Sequence, residues 1–352
     1  MLYSSILIVA IISTSVVHVA EAENPKFKLY NGLDDYKVVD AENCASLTQD
    51  YSPYFSKGKS CSIIITLGYN NDPNITFYRE FISSFIEAYR EKCNIILFDW
   101  SDAANAFLLE EKKKLGVTAP LYADYPFVVL FMDIVSKILC KALINCFSNS
   151  GYDLGNLYFV GHSLGVHICG RACSCAHQGG ASQCAMIVGL DPAGPGVCTN
   201  RFSASDAKCT ISVNTDPCLL GSNEYTAHGN FHANEKYYNC KVAQPGCKEN
   251  IPCNHKFAVY IFGEAIRYPK SVSASKANSS EDWYNGIQGQ QVYLTLFMDP
   301  CPMGTFYFCT ASEPKYGLGD AGIVPANCIA ADCQIGCKDI VRQCSVPKLP
   351  LL

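Results

Sequence analysis

A chain of 352 residues with 49% hydrophobic and 17% charged side chains can bury a large core, in one domain or a domain with a small extension. Its formal net charge of −5 and the lack of any Lys/Arg block exclude a nucleic-acid binder. The densest basic run, Lys112-Lys113-Lys114, follows Glu110 and Glu111 and reads as a solvated helix face, so charge says nothing about the substrate.

At the N-terminus, Ile6 to Val17 form an apolar run followed by Ala20-Glu21-Ala22, a small-x-small cleavage pattern. The run is too short to span a bilayer. Residues 1–22 therefore read as a signal peptide, the mature chain starts near Glu23, and the expected location is secreted and extracellular. No later run is long and clean enough for a transmembrane segment.

All 21 cysteines follow that cut, the first being Cys44. In a secreted chain they read as disulfides rather than metal ligands, Cys173-Ser174-Cys175 included. An odd count leaves at least one thiol unpaired or one bridge between chains. Asn74-Ile75-Thr76 and Asn278-Ser279-Ser280 are glycosylation candidates, which calls for surface positions.

Along the middle of the chain, apolar strand-like runs alternate with helical stretches. Ile63 to Leu67 is a buried-strand run ending at Gly68, and Ile95 to Trp100 is a second, followed by the polar break Ser101-Asp102. Leu157 to Val160 and Met186 to Leu190 are two more. Phe77 to Arg90 and Phe127 to Phe147 are apolar at helical spacing. Strands alternating with helices predict an α/β fold with a mostly parallel sheet covered on both faces, and ligands beyond the carboxyl ends of its strands. After about Pro269 the composition shifts. Lys270 to Ser280, rich in Ser, Lys and Ala, reads as an exposed loop. From Val292 onward, short β-like runs with cysteines from Cys301 to Cys344 suggest a disulfide-tied edge of the same domain. Residues 23–352 are thus expected to form one domain, with 270–352 as its disulfide-rich extension.

Residues 161–165 read Gly-His-Ser-Leu-Gly, a G-x-S-x-G sequence between the strand Leu157 to Val160 and an apolar helical segment (Val166, Ile168, Cys169, Ala172). That setting suits a sharp strand-to-helix turn, which lifts the Ser163 hydroxyl clear of the backbone above the sheet. A serine nucleophile needs a base, and the base needs an orienting carboxylate, in the chain order Ser, Asp or Glu, His. Asp191 ends the next strand run, where a carboxyl end meets a loop. Of the downstream histidines, His255 in Pro252-Cys253-Asn254-His255 is expected on a disulfide-anchored loop before the helical run Phe257 to Ile266. His228 and His232 are four apart, but Gly229 and Asn230 disfavour the helix a metal pair would need. His162 and His167 precede Asp191, the wrong order for the base. The oxyanion hole needs two backbone N–H groups. Leu164, after the nucleophile, supplies one, and Tyr69, on the loop Leu67-Gly68-Tyr69-Asn70, is the candidate for the other.

These segments resemble the pancreatic lipase family of triacylglycerol lipases and phospholipases A1, over roughly residues 60–270. The resemblance rests on Phe98-Asp99-Trp100, the segment Gly161 to His167, Gly189 to Pro195, Ser205-Asp206-Ala207 and Cys253-Asn254-His255. It implies an α/β-hydrolase fold with Ser163, Asp191 and His255 as catalytic triad and Tyr69 and Leu164 as oxyanion hole. The chain departs from the family at Leu67-Gly68, where His-Gly is usual, and at Val213-Asn214-Thr215-Asp216, where Ile-His-Thr-Asp is frequent. Of the acids that bind calcium in some members, Asp206 is kept and Ser203 stands at another's place, so neither calcium nor any other metal or cofactor is expected. The cysteines matching those that flank the family's lid are Cys247 and Cys253. Lys248 to Pro252 between them are too few for an amphipathic flap. A short lid resembles the family's phospholipases A1, and too few residues remain for the C-terminal lipid-binding β-sandwich of its triacylglycerol lipases. The expected function is hydrolysis of a lipid ester at a membrane or lipid surface, foremost the sn-1 acyl bond of a phospholipid. A triacylglycerol lipase or general esterase, and a catalytically silent binding or storage protein, are the alternatives.

Overall fold

The structure, a computed structural model, describes residues 24–44, 47, 53–69, 71–115, 125–217, 219–222, 224–235, 244–247 and 250–328. The signal-peptide segment, Asn70, the side chains of Lys112 to Lys114, Lys248 and Glu249, and everything after Cys328 lie outside the described residues.

Runs of Ile, Val, Leu and Phe bury both faces of a strand, and that composition builds the centre of the sheet. Strands β3 (Cys61–Thr66), β4 (Cys93–Asp99), β5 (Leu157–His162) and β6 (Met186–Leu190) contain the four runs legible in the sequence. Alternate side chains of β3 enter different cores. Ile64 packs under helices α3 (Tyr125–Ala142) and α4 (Leu164–Gln178), with Phe131, Val135 and Ile168. Ile63 and Ile65 pack under α1 (Thr76–Tyr89) and α5 (Ile251–Arg267), with Phe81, Phe85 and Phe262.

Seven further strands complete the sheet among the described residues: β1 (Lys26–Gly32), β2 (Asp35–Asp40), β7 (Cys209–Asn214), β8 (Gly229–Ala233), β9 (Ser273–Lys276), β10 (Gln291–Tyr293) and β11 (Gly304–Phe308). The order is β10-β9-β11-β8-β7-β6-β5-β3-β4-β1-β2. From β4 through β3, β5, β6, β7 and β8 to β11 every pairing is parallel, and antiparallel strands finish both edges. This is the mostly parallel α/β sheet that the alternating pattern predicted, in the α/β-hydrolase form that the resemblance implied.

Three local expectations are corrected. Ser101-Asp102 is no break but the start of α2 (Ser101–Leu115), because the Ser101 N–H and hydroxyl both donate to Asp99 Oδ1, at 3.1 and 2.6 Å. Part of the expected loop Lys270 to Ser280 is strand β9, whose Ser273, Ala274 and Ser275 are buried. Its polar side chains are satisfied internally: Ser275 Oγ accepts from Trp283 Nε1 (2.8 Å) and Ser273 Oγ from Gln291 Nε2 (2.7 Å). The third concerns His255. It lies on α5 rather than on a loop, since Asn250 caps that helix through Cys253 N–H (3.0 Å) and Pro252 sits in its first turn.

Seven disulfides tie this frame among the described residues. Cys61–Cys93 joins the neighbouring strands β3 and β4, and Cys44–Cys146 holds the N-terminal segment to the end of the α3 region. Cys140–Cys175 and Cys173–Cys184 brace α4, so both cysteines of Cys173-Ser174-Cys175 are bridged as the compartment argument required. Cys209–Cys301 and Cys309–Cys328 bind the C-terminal edge, where β11 continues the same sheet beside β8. Cys247–Cys253 closes the short segment before His255. Cys169 is a buried thiol on α4, pushed up to about 12 by burial and hence inert.

Candidate active site

The strand-to-helix turn at Ser163 is tight because three backbones meet there. Ser163 has φ 57° and ψ −125°, a conformation that costs about 1–3 kcal/mol and persists only where the surroundings impose it. Gly165 makes that possible: a Cβ there would stand 2.3 Å from the carbonyl oxygen of Thr66 in β3. At Gly161 a Cβ would meet the Val166 backbone at 2.7 Å. The turn is held by Ser163 N–H donating to Leu190 O (3.0 Å) and Ala193 N–H donating to Ser163 O (3.3 Å). Serine thus stands directly beside the carboxyl end of β6, where Asp191 follows.

Asp191 is buried, with φ 42°. Its Oδ1 accepts the backbone N–H groups of Thr215 (2.7 Å) and Asp216 (2.9 Å), and its Oδ2 accepts Nδ1–H of His255 at 2.6 Å. A carboxylate so held fixes the imidazole tautomer and leaves Nε2 unprotonated, as a base requires. Gly221 permits this approach, since a Cβ there would stand 2.6 Å from Asp191 Oδ2. The departure at Asn214 falls beside these donors: its Nδ2 donates to Ser212 Oγ and Phe231 O, while the next two N–H groups serve Asp191.

Burial opposes charge on both partners, driving the His255 imidazolium down to about 3 and lifting Asp191, while the nearby Lys256 ammonium lowers His255 further. Three N–H donors on Asp191 favour its anion, so at neutral pH the pair holds one proton, on His255 Nδ1. Forming the imidazolium in the unliganded protein requires a second proton that burial disfavours. The acid limb of kcat/KM on a soluble ester is therefore expected below the ordinary histidine value of 6.5: activity survives as pH falls through 6.5 and is lost at lower pH. A midpoint at or above 6.5 in a kcat/KM profile would contradict this.

Two histidines set aside by chain order take structural parts. His162 Nε2–H donates to His255 O (3.2 Å) and its Nδ1 accepts from Asn71 Nδ2 (3.3 Å), tying the serine turn to the helix that carries His255. His167 bridges Ala193 O (2.8 Å) and Phe202 N–H (3.1 Å). Burial holds both neutral, His167 down to about 4. Sequence reasoning also missed Gln244. Its Nε2 donates to Thr215 O (2.8 Å), its Oε1 accepts from Asn234, and its N–H donates to Asn254 Oδ1 (2.8 Å), beside His255. No motif marks it.

Tyr69 lies on the loop after β3, and Gly68 before it packs so close that a Cβ would stand 2.6 Å from Ser163 Cβ. Trp100 Nε1–H anchors that loop by donating to Leu67 O (2.8 Å), which explains the Phe98-Asp99-Trp100 segment and leaves the Leu67 side chain buried, away from solvent. Leu164 is the first residue of α4, where N–H groups lack intrahelical acceptors and the helix dipole is positive. Ser163, His255, Tyr69, Asn71, His162 and Lys256 share a cleft of about 360 Å³ with Tyr125, Pro195, Leu220 and Pro252.

The ligand atoms of Asp191, Asp216 and His255 lie within 4.8 Å of one another, a spacing a metal could use. Each carboxylate is already engaged: Asp216 Oδ2 accepts Leu220 N–H (3.0 Å), and Asp191 holds the contacts above. At the family's calcium position, Asp206 and Ser203 close on each other as a capping box, and burial raises Asp206 to about 6. Asn74 and Asn278 are both exposed; Asn74 Nδ2 donates to Asp72 Oδ1 (2.8 Å). His228 and His232 flank or sit on strand β8, as the residues between them required.

The family model described as Lipase matches residues 17–289. Lipase member H of Mus musculus is 28% identical over 244 residues, 65% of this chain and 46% of that protein. A phospholipase A1 of Vespa crabro is 29% identical over 231 residues, 63% of this chain and 72% of its own. The chain thus spans under half the length of lipase member H. An esterase structure from the bacterial hormone-sensitive lipase family aligns over 39% of this chain and 37% of its own, at 14% identity and a TM-score of 0.23, a slight likeness.

Proposed function

This chain belongs to the lipase family, and from that we propose that it is a secreted serine hydrolase of lipid carboxylic esters, cleaving the sn-1 acyl bond of phospholipids. The observation that carries this reading is the His255–Asp191 pair at 2.6 Å, sharing one cleft with the strained Ser163 turn. Ser163 Oγ attacks the ester carbonyl while His255 Nε2 takes its proton. Leu164 and Tyr69 N–H groups receive the developing oxyanion. Collapse expels the lysophospholipid alcohol, which takes the proton back from His255. Water, activated by the same imidazole, then releases the fatty acid and restores the serine.

The phospholipid preference is supported by the short segment before His255. Only Lys248 to Pro252 stand between Cys247 and Cys253, which one disulfide joins, and they are too few to form an amphipathic flap over the cleft. The relative of Vespa crabro carries the name phospholipase A1. The seven disulfides among the described residues suit an oxidising, extracellular setting, and no helix among those residues is long and apolar enough to cross a membrane.

Fatty-acid release from phosphatidylcholine and triolein, measured in parallel on the folded protein, tests the reading. Release favouring phosphatidylcholine is expected. Preference for triolein would replace the substrate assignment with triacylglycerol lipase, and no release from either would replace the enzyme with a binding protein.

A further inference from the structure

The two sides of the catalytic cleft differ in chemistry. Tyr125, Pro195 and Leu220 present one mainly apolar side, with Tyr125 OH consumed by Pro195 O (3.1 Å). The other carries Asn71, His162 and Lys256. Among the described lining residues Lys256 is the only side chain with a formal charge, since His162 and His255 are neutral and the acid of the pair lies behind His255.

Lys256 follows His255 on α5 and is half-buried. Its ammonium lies over the Tyr78 ring (5.6 Å to the centroid) and the Phe77 ring (5.8 Å), and no carboxylate among the described residues pairs with it. Tyr78 is 6.4 Å from His162 ring to ring, and His162 is 4.7 Å from His255, which places the cation on the Asn71 and His162 side. Burial lowers the ammonium's pKa. An amine held in the cleft lining by two ring faces, with no anion among the described residues beside it, is short of a counter-charge. A neutral acylglycerol offers none. A phosphodiester offers one negative charge shared over two oxygens, separated from the scissile sn-1 carbonyl only by the glycerol backbone.

We propose that Lys256 is the substrate-selecting residue of this cleft, binding the phosphodiester of a glycerophospholipid while the acyl chain lies along Tyr125, Pro195 and Leu220. The inference rests on the phospholipase reading and deepens it. The contact also acts on the reaction. Neutralising Lys256 removes a positive field from His255, so a bound phosphate makes the imidazole a stronger base where the phospholipid is seated.

Monomeric dihexanoylphosphatidylcholine and dihexanoylglycerol share the same sn-1 ester and differ in the phosphate. For Lys256→Gln, the ratio of kcat/KM for the phospholipid over that for the diacylglycerol is expected to fall about 10- to 100-fold, as loss of a charge-assisted hydrogen bond implies. Lys256→Arg keeps the charge and should hold the ratio within a few-fold. A ratio unchanged in Lys256→Gln, or equal losses on both substrates in Gln and Arg variants alike, overturns the assignment. The outcomes separate the two readings. Wild-type protein that cleaves the diacylglycerol but not the phospholipid sinks the phospholipase reading itself, whereas one that cleaves both with a ratio indifferent to residue 256 sinks only the role of Lys256.

Discussion

Replacing Ser163 with alanine is expected to lower turnover of a lipid ester by about 10⁴- to 10⁶-fold, the range found when a triad nucleophile is removed and only binding and the oxyanion donors remain. The size of the effect follows from what surrounds the residue. The turn is strained at φ 57°, braced by Leu190 O and Ala193 N–H, and clear of side chains at Gly161 and Gly165. Alanine has the same Cβ and meets the same backbone constraints, so Ser163→Ala should fold with a melting temperature close to wild type. A fluorophosphonate probe should label the wild-type protein at Ser163 and leave the variant unlabelled. Labelling that persists in the variant, or ester release that survives within tenfold, would remove Ser163 from the mechanism.

Asp191→Asn should cost about 10⁴-fold in kcat, for a reason of tautomers rather than space. Asparagine matches the buried carboxylate in shape, and its amide oxygen satisfies the Thr215 and Asp216 N–H groups that Oδ1 accepts now. Its NH₂ then faces His255 Nδ1, where Oδ2 accepts a proton at 2.6 Å in the wild type. Nδ1 must become the acceptor, the proton moves to Nε2, and the imidazole can no longer take a proton from serine. The reversed amide would oppose two N–H donors to an NH₂ group in a buried site, which is worse. A kcat within tenfold of wild type in a folded variant would show that the pair does not orient the base.

What was legible beforehand and what was not divides by range along the chain. Ile63 to Leu67 and Leu157 to Val160 announced buried strands because a parallel sheet buries both faces and so selects unbroken apolar runs. β9 hid for the opposite reason: Ser273 and Ser275 are polar residues whose hydroxyls are satisfied by Trp283 and Gln291, partners that no local pattern shows. His255 was read as the base from chain order and resemblance, yet its place on α5 depended on a cap at Asn250 that no apolar periodicity marks.

By itself the sequence determined the local devices: the glycines around Ser163, the alternation of strand and helix, the short interval between Cys247 and Cys253, and a cysteine content that suits an oxidising compartment. These are legible because each is decided by neighbours within a turn or a strand. Only the tertiary structure decided which cysteines pair beyond Cys247 and Cys253, that Thr215 and Asp216 hold Asp191, that Gln244 links them to Asn254, and that Lys256 faces the cleft with no acid among the described residues paired to it. Those contacts join residues from 10 to more than 100 positions apart. Periodicity reports which face of an element is buried, and never against what.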